Sequence, residues 1–152
     1  MSSPTLRKRI LDAYKDRIDK LFGKNGSTGH WFRIVRRGFL QGDEKMHPAC
    51  IVGDGGQRKV GEDESVVDLD LAINLTILMK EDWDRIGNVD TWTDRVQHII
   101  DALDKHIGIK CGVIKMSYDD DDPADVILMD GSVRAAWQIT FACTYCTDRA
   151  QT

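Results

Sequence analysis

Residues 66–79 read VVDLDLAINLTILM, and every second residue from Val67 onward is apolar. Most of the residues between them are polar or small, so the stretch alternates with a period of two. Such alternation is typical of a β-strand that buries one face and exposes the other. Residues 132–146, which read SVRAAWQITFACTYC, repeat the pattern with Trp137 and Phe141 on the apolar face. The two stretches therefore predict two long strands, each with one buried face.

Two further stretches carry apolar residues at steps of three and four, which is the pattern of an amphipathic helix. The first covers residues 4–22, with Ser3 as its predicted N-cap. The second covers residues 92–107, with Thr91 as its predicted N-cap in capping-box spacing with Asp94. A glycine directly after each stretch is the expected stop. Both apolar stripes need another surface to cover them.

The remaining segments are shorter strands and loops. Apolar residues at 31–35, 48–52 and 113–118 predict short strands. Residues 53–65 (GDGGQRKVGEDES) combine glycine with charge and predict a mobile loop, and residues 119–125 predict an acidic loop. The order of elements predicts an α+β fold, a mainly antiparallel sheet with two amphipathic helices packed on one face. The whole chain is expected to form one domain.

The length of the two main strands has a consequence for the shape of the domain. Fourteen residues of strand span about 46 Å. A compact chain of 152 residues has a diameter of only about 40 Å. We therefore expect the strands to bend, or one end to leave the domain as an arm that a partner covers.

The composition restricts the classes of partner. The formal net charge is −4 and 30% of the residues are charged, whereas a protein with a dedicated DNA-binding face is usually basic. No apolar run approaches the roughly 20 residues of a membrane-spanning helix. We expect a cytoplasmic or virion-associated soluble protein that binds neither a membrane nor a specific DNA sequence.

The acidic loop is the one candidate for a metal site. It departs from the calcium-binding EF-hand pattern, because Ala124 and Asp130 stand where a glycine and a glutamate are needed. Two interpretations stay open, a solvated acidic loop and a weak or shared Mg²⁺ or Ca²⁺ site. The weak candidate ligands are Asp119, Asp120, Asp121, Asp122 and Asp125.

No arrangement of residues in the sequence indicates catalysis. Cys143 and Cys146 match C-x-x-C, but residues three apart on a strand point to opposite faces, which separates the two sulfurs. The four histidines have no metal-protease spacing, and the glycines near residue 55 are not followed by a phosphate-binding G-K-[ST]. We expect no enzymatic activity, no catalytic residue and no bound cofactor.

The chain resembles the tail-terminator proteins of long-tailed bacteriophages in the order of its elements and in the acidic stretch before the last long strand. The segments that carry the resemblance are LRKRILDAYKDRIDKLFG, PACIVGDGG, SVVDLDLAINLTILMKE, WTDRVQHIIDALDKHIG and SYDDDDPADVILMDGSVRAAWQITFACTY. The resemblance implies a ring, usually hexameric, that caps the tail tube and meets the head connector. The genome would pass through the ring without specific binding.

The polar face of the two long strands is the expected lining of such a ring, and the charged residues of the 53–65 loop are expected at an interface. An acidic lumen lets DNA slide without holding it. Two alternatives stay open, another neck or head–tail joining subunit and a small non-viral protein-binding adaptor. The candidate residues for lumen or interface are Asp68, Asp70, Asn74, Thr76, Gln138, Thr140, Arg58 and Lys59.

Overall fold

The computed structural model describes residues 5–38, 48–78, 86–105, 113–127 and 133–148. They form two helices and a five-stranded, mainly antiparallel sheet, which is the α+β fold expected from the sequence. The elements in chain order are α1 (Leu6–Phe22), β1 (Ile34–Arg37), β2 (Ala49–Glu62), β3 (Val66–Leu78), α2 (Ile86–Lys105), β4 (Val113–Ile127) and β5 (Val133–Asp148).

The strand order in the sheet is β1-β2-β3-β5-β4, with β1 parallel to β2 and all other neighbours antiparallel. The central pair, β3 and β5, keeps one register over 13 residue pairs. The flanking strands are irregular, because β2 and β4 each carry two register shifts against their neighbours. The strand β3 pairs on both sides almost to its ends, so the structure has bulged flanking strands rather than a separate arm.

Both helices pack on one face of the sheet, which we call the inner face. The alternate residues of β3 that the sequence places on the buried face, such as Leu71 and Ile73, are fully buried there. Phe141 of β5 lies beside Tyr14 of α1, with ring centroids 5.6 Å apart. The apolar stripes of both helices join this same core, as the helical periodicity predicts.

The first helix begins and ends for local reasons. Its N-cap is Thr5, whose Oγ1 accepts a hydrogen bond of 3.2 Å from the backbone N–H of Lys8. The predicted N-cap, Ser3, lies outside the described residues, and the prediction is wrong because Thr5 caps the helix, which begins at Leu6. The helix ends at Gly23 as expected, and a Cβ there would lie 2.6 Å from the carbonyl oxygen of Asp19. The glycine is therefore required by close packing.

The second helix is longer than predicted. It begins at Ile86, so Thr91 lies inside the helix and the prediction of a capping box at Thr91 and Asp94 is wrong. The prediction began at Thr91 because of its capping spacing, although Ile86 and Val89 already extend the apolar steps of three back from Trp92. Neither described helix combines the length and the apolar character needed to span a bilayer.

The two predicted loops are strands. Residues 53–62 continue β2, which pairs with β3 as far as Glu62, and a turn begins at Asp63. The carboxylate of Asp63 fixes this turn by accepting hydrogen bonds of 2.9 Å from the backbone N–H groups of Ser65 and Val66. The predicted acidic loop at residues 119–125 lies within β4 and pairs with β5. In both segments the sheet partner outweighs the low strand propensity of glycine and aspartate.

Candidate functional site: the outer face and the edges of the sheet

The face of the sheet opposite the helices, here the outer face, carries the predicted lumen residues. The β3–β5 register sets Asp70 opposite Thr144 and Asn74 opposite Thr140. The same register sets Asp68 opposite Cys146 and Thr76 opposite Gln138. The prediction that these polar side chains share one face is confirmed.

Cross-strand hydrogen bonds fix this polar row. Thr144 Oγ1 donates to Asp70 Oδ1 at 3.0 Å, and Thr140 Oγ1 donates to Asn74 Oδ1 at 3.4 Å. Farther along, the thiol of Cys146 donates to the carboxylate of Asp68 at 3.2 Å. This hydrogen bond raises the pKa of the Cys146 thiol because it stabilises the protonated form, and the negative charge of Asp68 acts in the same direction.

A shallow concavity of about 380 Å³ interrupts the outer face between these pairs. Ala72 and Ala142 lie directly opposite each other on β3 and β5, and both line the concavity. Arg58 and Asp119 also line it. The concavity is open to solvent, so it is suited to contact with another surface rather than to enclosing a small molecule.

One end of the outer face is apolar. Ala49, Ile51, Leu78 and Ala136 form a small buried cluster there, on the face opposite the main core. Thr76 belongs to this end and is only 8% exposed. The expectation that Thr76 lines a polar surface is therefore wrong, whereas Gln138 opposite it is exposed.

The acidic run of β4 does not form one cluster. Asp120 and Asp122 pair with Thr140 and Gln138, which places them on the outer face, and both are exposed. Asp119 lies at the bulge between Tyr118 and Asp120. Strand alternation therefore separates the run.

Asp121 lies on the other side of β4 and is held by two aromatic side chains. Its Oδ2 accepts a hydrogen bond of 2.7 Å from Trp137 Nε1, and its Oδ1 accepts one from the Tyr118 hydroxyl. The bond to Asp121 raises the pKa of Tyr118 to about 12. Asp125 pairs with Ala135, farther along the strand. Within the described parts of the chain, no group of three potential metal ligands is close enough to hold an ion.

Arg58 and Lys59 lie on opposite sides of β2, not in a loop. Arg58 is opposite Asp70 on the outer face, with Nη2 3.8 Å from Oδ2, and its side chain is 80% exposed. Lys59 Nζ is 3.2 Å from Oε1 of Glu62, and its side chain is 56% exposed. Surface ion pairs of this kind contribute little to stability, which leaves both cations able to contact another molecule.

The sequence did not indicate that the sheet has two long edges. On one side, β1 covers β2 only from Ala49 to Val52, and the N–H of Gly38 makes the last backbone bond to Val52, at 3.1 Å. Beyond that point, residues 54–62 pair with β3 alone among the described strands. On the other side, β4 pairs with β5 alone among the described strands.

The bulged stretch of β2 is tied to the first helix. Arg7 Nε and Nη2 donate to the two oxygens of Asp54, at 2.6 and 2.8 Å. The same carboxylate accepts a hydrogen bond of 2.8 Å from the N–H of Gly56, whose φ is +92°. These bonds, above all the one from Arg7, lower the pKa of Asp54.

The two cysteines of the C-x-x-C match point to opposite faces. Cys143 is opposite Leu71 in the core and is fully buried, whereas Cys146 is opposite Asp68 on the outer face. Burial raises the pKa of the Cys143 thiol to about 12. The prediction that strand alternation separates the two sulfurs is confirmed.

Comparison with known proteins adds no functional assignment. No protein-family model matches the chain, and the search of curated proteins found no match. The functional argument therefore depends on the sequence pattern and on the geometry of the outer face and the edges.

Proposed function

We propose that this chain is a structural protein of a phage tail, a terminator whose copies form a ring that caps the tail tube and joins it to the head connector. The observation that carries the proposal is the polar outer face. It lies opposite both helices, and its central row of acids, amide and hydroxyls is fixed by cross-strand bonds. A face of this kind is suited to the lumen of a ring.

The charge of the outer face supports passage of DNA without binding. Asp68, Asp70, Asp120 and Asp122 share this face, and the register places three described cations on it, Arg36, Arg58 and Lys115. Carboxylates repel phosphates and outnumber these cations, so the balance of charge disfavours tight binding of DNA. The order of elements, which resembles that of tail terminators, points to the same role.

The partners follow from the role. A capping ring contacts other copies of itself around its circumference, the tail tube protein on one side and the head connector on the other. The DNA passes through the centre. The open concavity at Ala72 and Ala142 favours a second candidate function, a protein-binding adaptor that acts as a single copy.

The deciding experiment is the native mass of the purified protein, measured by light scattering and followed by negative-stain imaging. The terminator function predicts a closed ring, usually of six copies, with a visible central opening. It also predicts that the ring stops the polymerisation of its tail tube protein in vitro. A single-copy mass at all concentrations tested would exclude the ring and favour the adaptor.

A lumen variant tests the role of the outer face. Asp70→Arg changes the sign of one residue in the central row, so the ring should retain DNA that the wild-type ring releases. Asp16→Arg is the matched control, because Asp16 lies on α1 with its side chain 74% exposed. Equal DNA retention by the two variant rings would show that the outer face does not line the opening.

A further inference from the structure

We infer that neighbouring copies join edge to edge, with β4 of one copy adding as a strand to residues 54–62 of β2 in the next copy. The inference rests on the proposed ring and names the contact that closes it. The two long edges of the sheet are the structural basis, because each pairs with one strand only among the described residues. An unpaired strand edge is a template for pairing with another chain.

The directions of the strands fit this contact. Each step from β2 to β3, from β3 to β5 and from β5 to β4 is antiparallel, so β2 and β4 run in opposite directions. When one copy is rotated into the place of the next, its β4 therefore meets β2 antiparallel. The joint repeats the pairing that the long strands already use within one copy.

The short strand β1 sets the position of the incoming strand. It occupies the edge of β2 from Ala49 to Val52, so an incoming β4 has only residues 54–62 to pair with. Within one copy, Asp120 pairs with Thr140, Thr140 pairs with Asn74, and Asn74 pairs with Gly53. Asp120 and Gly53 therefore lie at the same height in the sheet. The joint therefore needs a stagger that moves Asp120 toward Arg58, and residues 125–127 of β4 then stay outside the pairing because β1 occupies that part of the edge. A stagger between strands is what closure of a sheet into a barrel requires.

The stagger brings opposite charges together. The incoming strand carries Asp120 and Asp122 on the outer face, and both are exposed. The receiving stretch carries Arg58 on the same face, whereas Lys59 lies on the opposite side of the strand. The ion pair that Arg58 makes with Asp70 within its own copy is 3.8 Å long and the Arg58 side chain is largely exposed, so exchanging this pair costs little.

The same charges disfavour pairing of two like edges. Two β4 edges side by side would bring their acids together, and Pro123 removes one N–H donor from this edge. Pairing of β4 with β2 is therefore favoured over a symmetric dimer through β4. An interface between two different surfaces of identical subunits produces a ring when the rotation closes.

Charge reversal on the full-length protein tests the joint. Asp120→Lys/Asp122→Lys on β4 and Arg58→Glu on β2 should each lower the fraction of chains in the ring about tenfold or more at a fixed concentration. The combined three-residue variant should recover most of the ring. Asp16→Lys is the matched control on α1 and should leave the fraction unchanged, and a circular-dichroism melt of each variant checks that the chain folds.

The outcomes separate this inference from the proposed function. A ring that survives both reversals, or a combined variant that recovers nothing while its chains are folded, overturns the edge-to-edge joint and leaves the ring itself standing. A wild-type protein that stays a single chain overturns both. Hydrogen exchange gives an independent readout, because the backbone N–H groups of residues 54–62 on the edge away from β3 should become protected only in the ring.

Discussion

The indole N–H of Trp137 donates a hydrogen bond of 2.7 Å to Asp121, across the pairing of β4 with β5. This bond gives Asp121 a structural role that the other acids of the run do not share. Trp137 is only 8% exposed, so its N–H depends on the carboxylate for a partner. Of the four consecutive aspartates, Asp121 therefore has a structural role, and the other three lie on or near the outer face.

Asp121→Ala should lower the free energy of unfolding by about 1–3 kcal/mol, because it leaves the Trp137 N–H without its acceptor. Asp16→Ala on α1 removes the same charge from an exposed side chain and should change the free energy by less than about 0.5 kcal/mol. Urea unfolding of both variants measures the difference. Equal losses would mean that the hydrogen bond does not stabilise the sheet.

Stability should fall in alkaline solution from about pH 9 upward. Burial raises the pKa of Cys50 and Cys143 from an ordinary value of 9.0 to about 12. Thiols whose pKa is raised in the folded state stabilise it below pH 9 and lose that contribution as the pH rises toward 12. Each contributes a slope of at most about 1.4 kcal/mol per pH unit.

The readout for the two thiols is the slope of unfolding free energy between pH 7 and pH 10.5, under reducing conditions. Cys50→Ala and Cys143→Ala should each flatten the slope, even though each also lowers stability at pH 7 by leaving a small cavity. A slope that is the same in wild type and in both variants would contradict the prediction.

Trypsin should cleave after Lys24, in the turn that follows α1, well before it cleaves after Arg58 or Lys59. The latter two lie in β2 and pair with β3, so the local backbone must leave the sheet before the protease can bind it. Deletion of residues 55–61 should lower the melting temperature for the same reason. Early cleavage after Arg58 in the single chain would instead favour the loop that the sequence predicts.

Asp54→Asn should lower stability at pH 7 by up to about 1 kcal/mol, since it weakens the surface pair with Arg7. The pKa of Asp54 is lowered from 3.8 in the folded protein, so the pair stabilises the fold above pH 3.8 and loses its effect as the pH falls further. The two proteins should therefore converge as the pH falls below 3.8. Asp16→Asn provides the control, and a gap that does not narrow as the pH falls would exclude this cause.

The long strands were predictable because their side chains alternate without interruption. In β3 and β5 the buried face is set by residues such as Leu71, Ile73 and Phe141, and period two has one structural interpretation at that length. The polar row opposite them followed from the same alternation. The two central strands, their buried face and most of the candidate face could therefore be predicted from the sequence alone.

The flanking strands were not predictable from their own residues. Residues 53–62 contain four glycines and residues 119–122 are all aspartate, and both compositions are typical of loops. They form strands because β3 and β5 offer complete rows of backbone partners. The two edges and the hydrogen bond between Trp137 and Asp121 depend on the register of the strands, which local composition does not encode.

The distribution of register shifts affects the shape of the sheet. The β3–β5 pair runs without interruption, whereas β2 and β4 each carry two shifts. Bulges bend a strand and increase its local twist, so the curvature of the sheet changes mainly at its margins and little along its centre. The shape that the molecule offers to a neighbour at either edge is therefore determined by the bulges of β2 and β4, while the core depends on the regular pairing of β3 with β5.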